Sequence, residues 1–196
     1  MADLEKLRAN LEARGFRTAY FPTADEAAAY LDGQIDGKTV GIGGSMTVKE
    51  MGLYPRLAAH NQVVWHWEGG ALRDAVLTDV HHLRQRAGGD WGDRQHRWQR
   101  QPGLPPPCTA TRRSTSWWVS TRSPPDFEAA LWRARNVAAP KRAQSMGCRT
   151  PCAAKADRCY DCKSPERICR GLAVLWARPN ATEEMEVVLI GEALGM

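Results

Sequence analysis

No run of about eighteen apolar residues occurs in this 196-residue chain, so no membrane span is expected. The opening MADLEKLRANLEARG is charged and lacks the apolar centre of a signal peptide, which makes the cytoplasm the expected location. No segment repeats. The five histidines, His60, His66, His81, His82 and His96, stand at no ligand spacing from an acid or a cysteine. His66 alternates with Trp65 and Trp67 and reads as a strand side chain. No Ser–His–Asp or Cys–His nucleophile pattern is present. In a cytosolic chain the six cysteines read as metal-binding, catalytic or free thiols before they read as disulfides.

A second set of absences is local. Between His81 and Ser123 there is no lysine, and only Leu83, Leu104 and Val119 represent Ile, Val and Leu. The same window holds eight arginines against two acids, a net of +6, while the rest of the chain has 19 basic and 20 acidic residues, a net of −1. The overall charge of +5 therefore belongs to one window. Any claim that the chain seeks nucleic acid rests on that window alone.

What is present elsewhere is regular. Leu4, Leu7 and Leu11 space an amphipathic helix over Ala2–Arg14, which Gly15 stops. Arg17–Phe21 reads as a strand. Thr23 with Glu26 makes a capping-box pattern for a helix over Ala24–Leu31 that ends near Gly33. A strand ending at Ile42 leads into a helix over Met46–Met51, which Gly52 and Pro55 break and Leu57–His60 resumes. Gln62–Trp67 is a strand and Ala71–Leu77 a helix. Later, Pro125–Val137 is an amphipathic helix, and Gly171–Ala177 and Glu186–Ile190 are strands. The alternation of helix and strand predicts an α/β domain with a mainly parallel sheet.

Within it, Gly37–Glu50 (GKTVGIGGSMTVKE) is strand, glycine-rich loop and helix. Such a loop lets a ligand approach the backbone and aims N–H groups at an anion. The candidate ligand-binding residues are Gly41, Gly43, Gly44, Ser45, Thr47 and Lys49. Glu50 reads as a group paired with a neighbouring cation before it reads as a general base.

Cys152, Cys159, Cys162 and Cys169 follow the spacing C-x6-C-x2-C-x6-C. The central pair can place two thiolates on one metal and the outer pair can complete four-coordination, for zinc or for an iron–sulfur cluster. Cys148 could substitute for one ligand, and Lys155, Arg158, Lys163 and Arg167 would offset thiolate charge. Cys108 is assigned nothing.

Several separated pieces resemble the LUD-domain proteins of lactate utilisation, the LutC/YkgG-type group. They are the N-terminal helix with RGF, GIGGSMTVKEMGL, NVAAPKRAQSMG, the TPC…C…DCKSPERIC cluster and the terminal VVLIGEALG, covering roughly residues 1–80 and 125–196. The resemblance implies one domain over 1–196, with a cysteine-rich module at 148–170. It implies a three-layer α/β fold similar to the sugar-phosphate isomerases and CoA transferases (the NagB/RpiA/CoA-transferase-like fold). The loop is then an anion or ligand site. The implied function is a component of lactate or other organic-acid oxidation, with redox partner subunits. The residues leave open whether the domain turns over a substrate.

The departure is residues 81–123, where such proteins have apolar strands and a turn rich in asparagine and glycine. Codons for His81–Arg86, read from the second base, can give Ile-Thr-Ser-Ala-Asn. The same shift over Gln95–Gly103 can give Asn-Ile-Asp-Gly-Asn-Gly-Asn-Arg. Read from the third base, Ser114–Pro124 can give Tyr-Leu-Val-Val-Gly-Val-Asn-Lys-Ile-Ala. Frame returns before Pro125. Three one-base insertions, near Val80, Leu104 and Pro124, account for all three windows. On that reading the central strands are disrupted and 81–123 is expected to be irregular, because arginine, glutamine and proline replace apolar strand residues.

Two other functions compete. A nucleic-acid module would use the arginines and Trp117-Trp118 beside a zinc site. The charge split opposes it, so nucleic acid is not the expected partner. A non-enzymatic scaffold subunit would keep the loop without using it.

Overall fold

Among the described residues six strands pair into one sheet, and every pairing is parallel. The computed structural model describes residues 4–65, 124, 126–172, 174–180 and 182–195, and the backbone of 80–85 and 113–119. In chain order the elements are α1 (Leu4–Glu12), β1 (Arg17–Phe21), α2 (Ala24–Gln34), β2 (Thr39–Ile42), α3 (Met46–Glu50), α4 (Leu53–Ala58), β3 (Gln62–Trp65), β4 (Val80–Gln85) and β5 (Arg113–Val119). Then follow α5 (Phe127–Arg133), a π-helical turn (Ala134–Ala138), α6 (Ala139–Ser145), α7 (Pro151–Lys155) and β6 (Glu184–Ile190). The strand order is β1-β6-β5-β4-β2-β3. The α/β class read from the sequence holds.

Local chemistry explains most of the boundaries. Thr23 caps α2: its side-chain oxygen accepts from the Glu26 N–H at 3.3 Å, while Asp25 and Glu26 place negative charge in the first turn. Gly52 separates α3 from α4 with a left-handed φ of 61°. Pro55 does not break the chain as expected. It falls in the first turn of α4, where a missing N–H costs no intrahelical bond. The expected helix over 125–137 begins instead at Phe127, behind the Asp126 cap, and continues through the π-turn into α6.

Side chains of β6 divide two apolar clusters between the faces of the sheet. Val188 and Ile190 join Leu31, Ile35, Val40, Ile42, Leu53 and Leu57 beneath α2 and α4. Met185, Val187 and Leu189 join Leu11 and Phe16, against α1. Because successive strand residues point to opposite faces, the two clusters lie on opposite sides. Glu186 is the one acid in β6 at a position nearly sealed from solvent, and the Tyr30 hydroxyl donates to it at 2.7 Å. Burial, then this bond, pushes the Tyr30 phenol up to about 12.

Two expectations are corrected. Gly171–Ala177 forms no strand among its described residues; Leu175 packs on the α1-side cluster from a coil segment. The window 81–123 was expected to be irregular or poorly ordered; its described residues, 81–85 and 113–119, lie in β4 and β5, which pair with each other, with β2 and with β6, and the rest of the window lies outside the described residues. A parallel ladder is made by backbone groups, and neither stretch contains proline, so both can supply it. The Ala71–Leu77 helix, His66, Trp67, His96, Cys108 and the Gln95–Gly103 window lie outside the described residues. Among the described residues no helix is long and apolar enough to cross a membrane.

His60 closes the end of α4 against α2. Its ring nitrogens lie 2.9 Å from Asp32 and 3.0 Å from Asp36, and these two hydrogen bonds raise its pKa above 6.5. A raised folded-state pKa means that this contribution to stability is complete below 6.5 and is lost as pH rises through the folded value. His60→Gln should therefore destabilise the protein at pH 6 and have a shrinking effect toward alkaline pH. Denaturant melts across pH, with an NMR titration of the His60 ring, test this; a ring midpoint at or below 6.5 would contradict it.

Candidate functional site

The path of the chain through the sheet creates one distinctive place. From β2 the chain moves outward to β3 at the edge, then crosses back to β4 on the other side of β2, and from β4 moves inward to β5. Connections leaving the carboxyl ends of β2 and β4 thus diverge. In parallel α/β sheets ligands bind in the crevice opened where neighbouring connections diverge. The carboxyl end of β2 is Ile42, and the next residues are Gly43, Gly44 and Ser45.

The loop is built from both ends. Gly41 is buried within β2, Gly43 is half-buried and Gly44 is exposed. None of the three has a left-handed φ, so what they supply is space for close approach. Ser45 caps α3 by accepting from the Val48 N–H at 3.3 Å. Ser45 is 2% exposed and Thr47 0%, so their side chains are committed to the loop's interior, whereas Lys49 is exposed. The Trp65 indole N–H donates to the Gly43 carbonyl at 3.2 Å, and Tyr54 packs on the Trp65 ring with centroids 4.8 Å apart. The exposed part of the predicted ligand set is therefore the backbone at Gly44 and the Lys49 side chain, with Gly43 at the margin.

Residues 4–88 match the family model of the LUD domain. Over that stretch, less than half of the chain, the protein is similar to the LUD domain. LUD domains are associated with proteins of lactate utilisation. Comparison with curated proteins and with solved structures finds no match. The matched stretch includes β1 to β4 and the glycine loop.

Outside the LUD match, the C-terminal tail contributes a feature that motif reading missed. Gly191 donates its N–H to the Phe21 carbonyl at 2.9 Å. A Cβ on Gly191 would lie 2.8 Å from the Tyr20 hydroxyl and 2.9 Å from the Pro22 carbonyl oxygen. Glu192 accepts from the Ala24 N–H at 2.8 Å, and Glu50 accepts from the Gly195 N–H. Glu50 thus anchors the tail to α3. The visible signal was a glycine immediately after the apolar run of β6.

The cysteine module has a different organisation from the one its spacing suggested. Cys148, Cys152, Cys159, Cys162 and Cys169 are all partly buried and none is in a disulfide. Among the described residues no group of three or more His, Cys, Asp or Glu side chains is placed to hold a metal. The thiol of Cys159 instead lies 3.5 Å from Arg135 Nη2 and 3.3 Å from the Asp161 N–H, both donors. Contact with that sulfur is the leading cause that raises the Arg135 pKa. Arg167 donates to the carbonyls of Cys162 and Cys169 at 2.8 and 2.9 Å and pairs with Asp161 at 3.0 Å. Lys155 and Arg158 sit over the Tyr160 ring at 5.0 and 5.3 Å rather than beside a thiol. A cleft of about 560 Å³ opens between the π-turn and this loop, lined by Trp132, Arg135, Asn136 and Cys159 among others. As placed, the four cysteines do not converge on one point.

The cap on α3 is separable from ligand contact. Ser45→Ala should cost about 1 kcal/mol of stability, the usual loss for an N-cap hydroxyl. Ser45→Thr should retain most of it. Thermal or urea melts of the two variants make the comparison, and equal stability of Ser45→Ala and the parent would remove the capping role.

Proposed function

We propose that this chain is a LUD-type component of lactate or other organic-acid utilisation that binds a small anionic ligand, a carboxylate in the first instance, at the carboxyl end of β2. The observation behind this reading is the coincidence of two independent features. The glycine-rich loop, recognisable from residue type alone, falls where the connections of the sheet diverge. A carboxylate there would meet the Gly43–Ser45 backbone and the ammonium of Lys49, whose flexible stem lets it reach a bound anion.

The apolar clusters on both faces of the sheet support the three-layer arrangement of the NagB/RpiA/CoA-transferase-like fold. Oxidation of an organic acid needs an electron acceptor, and the proposal assigns that part to redox partner subunits. The LUD domain then presents the substrate or a related anion. The cysteine spacing remains a proposal for zinc or an iron–sulfur cluster that requires Cys152, Cys159, Cys162 and Cys169 to close around one centre.

Gly44→Asp tests the loop directly, because an exposed glycine with ordinary φ accepts the side chain while adding negative charge. Titration of the protein with L-lactate and with inorganic phosphate should show saturable binding that Gly44→Asp weakens by about tenfold or more, near 1.4 kcal/mol. Gly44→Ala should be much less affected. Equal affinities in all three proteins, with unchanged far-UV circular dichroism, would place the anion elsewhere.

A further inference from the structure

The two middle strands of the sheet carry its least apolar sequence. An interior strand of a parallel sheet has a neighbour at each edge and cover on each face, so it reads as a nearly continuous apolar run. β6 meets this requirement, with Met185–Ile190 buried and Glu186, the acid within that run, bonded to Tyr30. β2 meets it with Val40, Gly41 and Ile42 buried. Between them stand β4, Val-His-His-Leu-Arg-Gln, and β5, Arg-Ser-Thr-Ser-Trp-Trp-Val.

Register shows where the conflict falls. His81 is level with Val40, which is fully buried. Ser114 and Ser116 are level with Met185 and Val187, and Arg84 of β4 is level with Ser116. Positions level with one another in a parallel pair share a face of the sheet. The register thus places polar residue types at interior positions of the sheet, where a parallel sheet calls for apolar ones.

The codons offer a resolution at the same positions. Read one base later, codons for His81–Arg86 can give Ile-Thr-Ser-Ala-Asn, which falls on β4. Read two bases later, codons beginning at Ser114 can give Tyr-Leu-Val-Val-Gly-Val, which falls on β5. To within one position, Leu-Val-Val then stands level with Val187, Val188 and Leu189. The displaced frame thus yields an apolar strand at β5 and an uncharged sequence at β4, and the ordinary frame yields strand sequence on either side.

We propose that residues 81–123 are the product of a displaced reading frame. Three single-base insertions, near the codons of Val80, Leu104 and Pro124, separate the given chain from the working protein. In the working protein β5 is an apolar central strand, and β4 loses its two histidines and its arginine to small, uncharged residues and an isoleucine. The same displacement accounts for the confinement of the +6 charge and of four tryptophans to this window. It follows that the arginines and tryptophans of 81–123 are no part of a binding surface in the working protein.

Two readouts test this. Resequencing the gene from source DNA should remove three bases from this region and restore one open frame through Ile-Thr-Ser-Ala-Asn and Tyr-Leu-Val-Val-Gly-Val. Tryptic mass spectrometry of the protein isolated from its natural cells should lack the Ser114–Arg122 peptide, STSWWVSTR, that the given chain must release. Confirmed codons that cannot encode the shifted peptides, or recovery of STSWWVSTR from the natural protein, would overturn the proposal. The outcome is independent of anion binding at Gly43–Ser45, since it reads nucleotides and peptides rather than ligand affinity.

Discussion

Parallel strands leave no solvent face, so this sheet needs apolar cover above and below it along its interior strands. β6 supplies both layers at once. Met185, Val187 and Leu189 face one cluster, Val188 and Ile190 the other. The remaining architecture follows from it: α1 closes the first layer, and α2 with α4 closes the second. The one acid in the interior of β6 is accommodated because Tyr30 reaches it from α2. The tail after β6 passes under Tyr20 and Pro22 with a glycine where no Cβ fits, and ends on Glu50 of α3. The strand that organises the core therefore also fixes the helix that follows the glycine loop.

The loop gains its significance from topology. As a string of small residues it is a weak motif. At the carboxyl end of β2, beside the point where the chain reverses its direction across the sheet, it occupies the position where α/β folds bind ligands. Its two hydroxyl residues serve the loop's own structure: Ser45 caps α3 and Thr47 is buried. In the proposed function, recognition rests on backbone groups at Gly43 and Gly44 and on Lys49. Such a site selects for charge and small size rather than for a detailed side-chain pattern.

Much of the fold was legible because local signals and burial agree. Arg17–Phe21 was bounded by Gly15 and Pro22 and forms as read. Thr23 acts as the cap its spacing to Glu26 implied. Other features were out of reach of local reading. Gly171–Ala177 has strand composition but lies outside the sheet, where Leu175 serves packing alone. The spacing of the cysteines gave no hint that Arg135 would meet the Cys159 sulfur, because that contact joins residues 24 positions apart. β4 and β5 were illegible for a different reason. Their backbones obey the sheet while their side chains disobey the rule that makes an interior strand recognisable.

The central claim is that the carboxyl end of β2 is an anion site. The most direct measurement is an amide NMR titration of the protein with L-lactate, and separately with phosphate. The account predicts saturable shifts confined to Gly43, Gly44, Ser45, Met46 and their neighbours, with Met185–Leu189 and the cysteine module unmoved. Shifts centred on Arg135 and Cys159, or none at millimolar ligand, would contradict it.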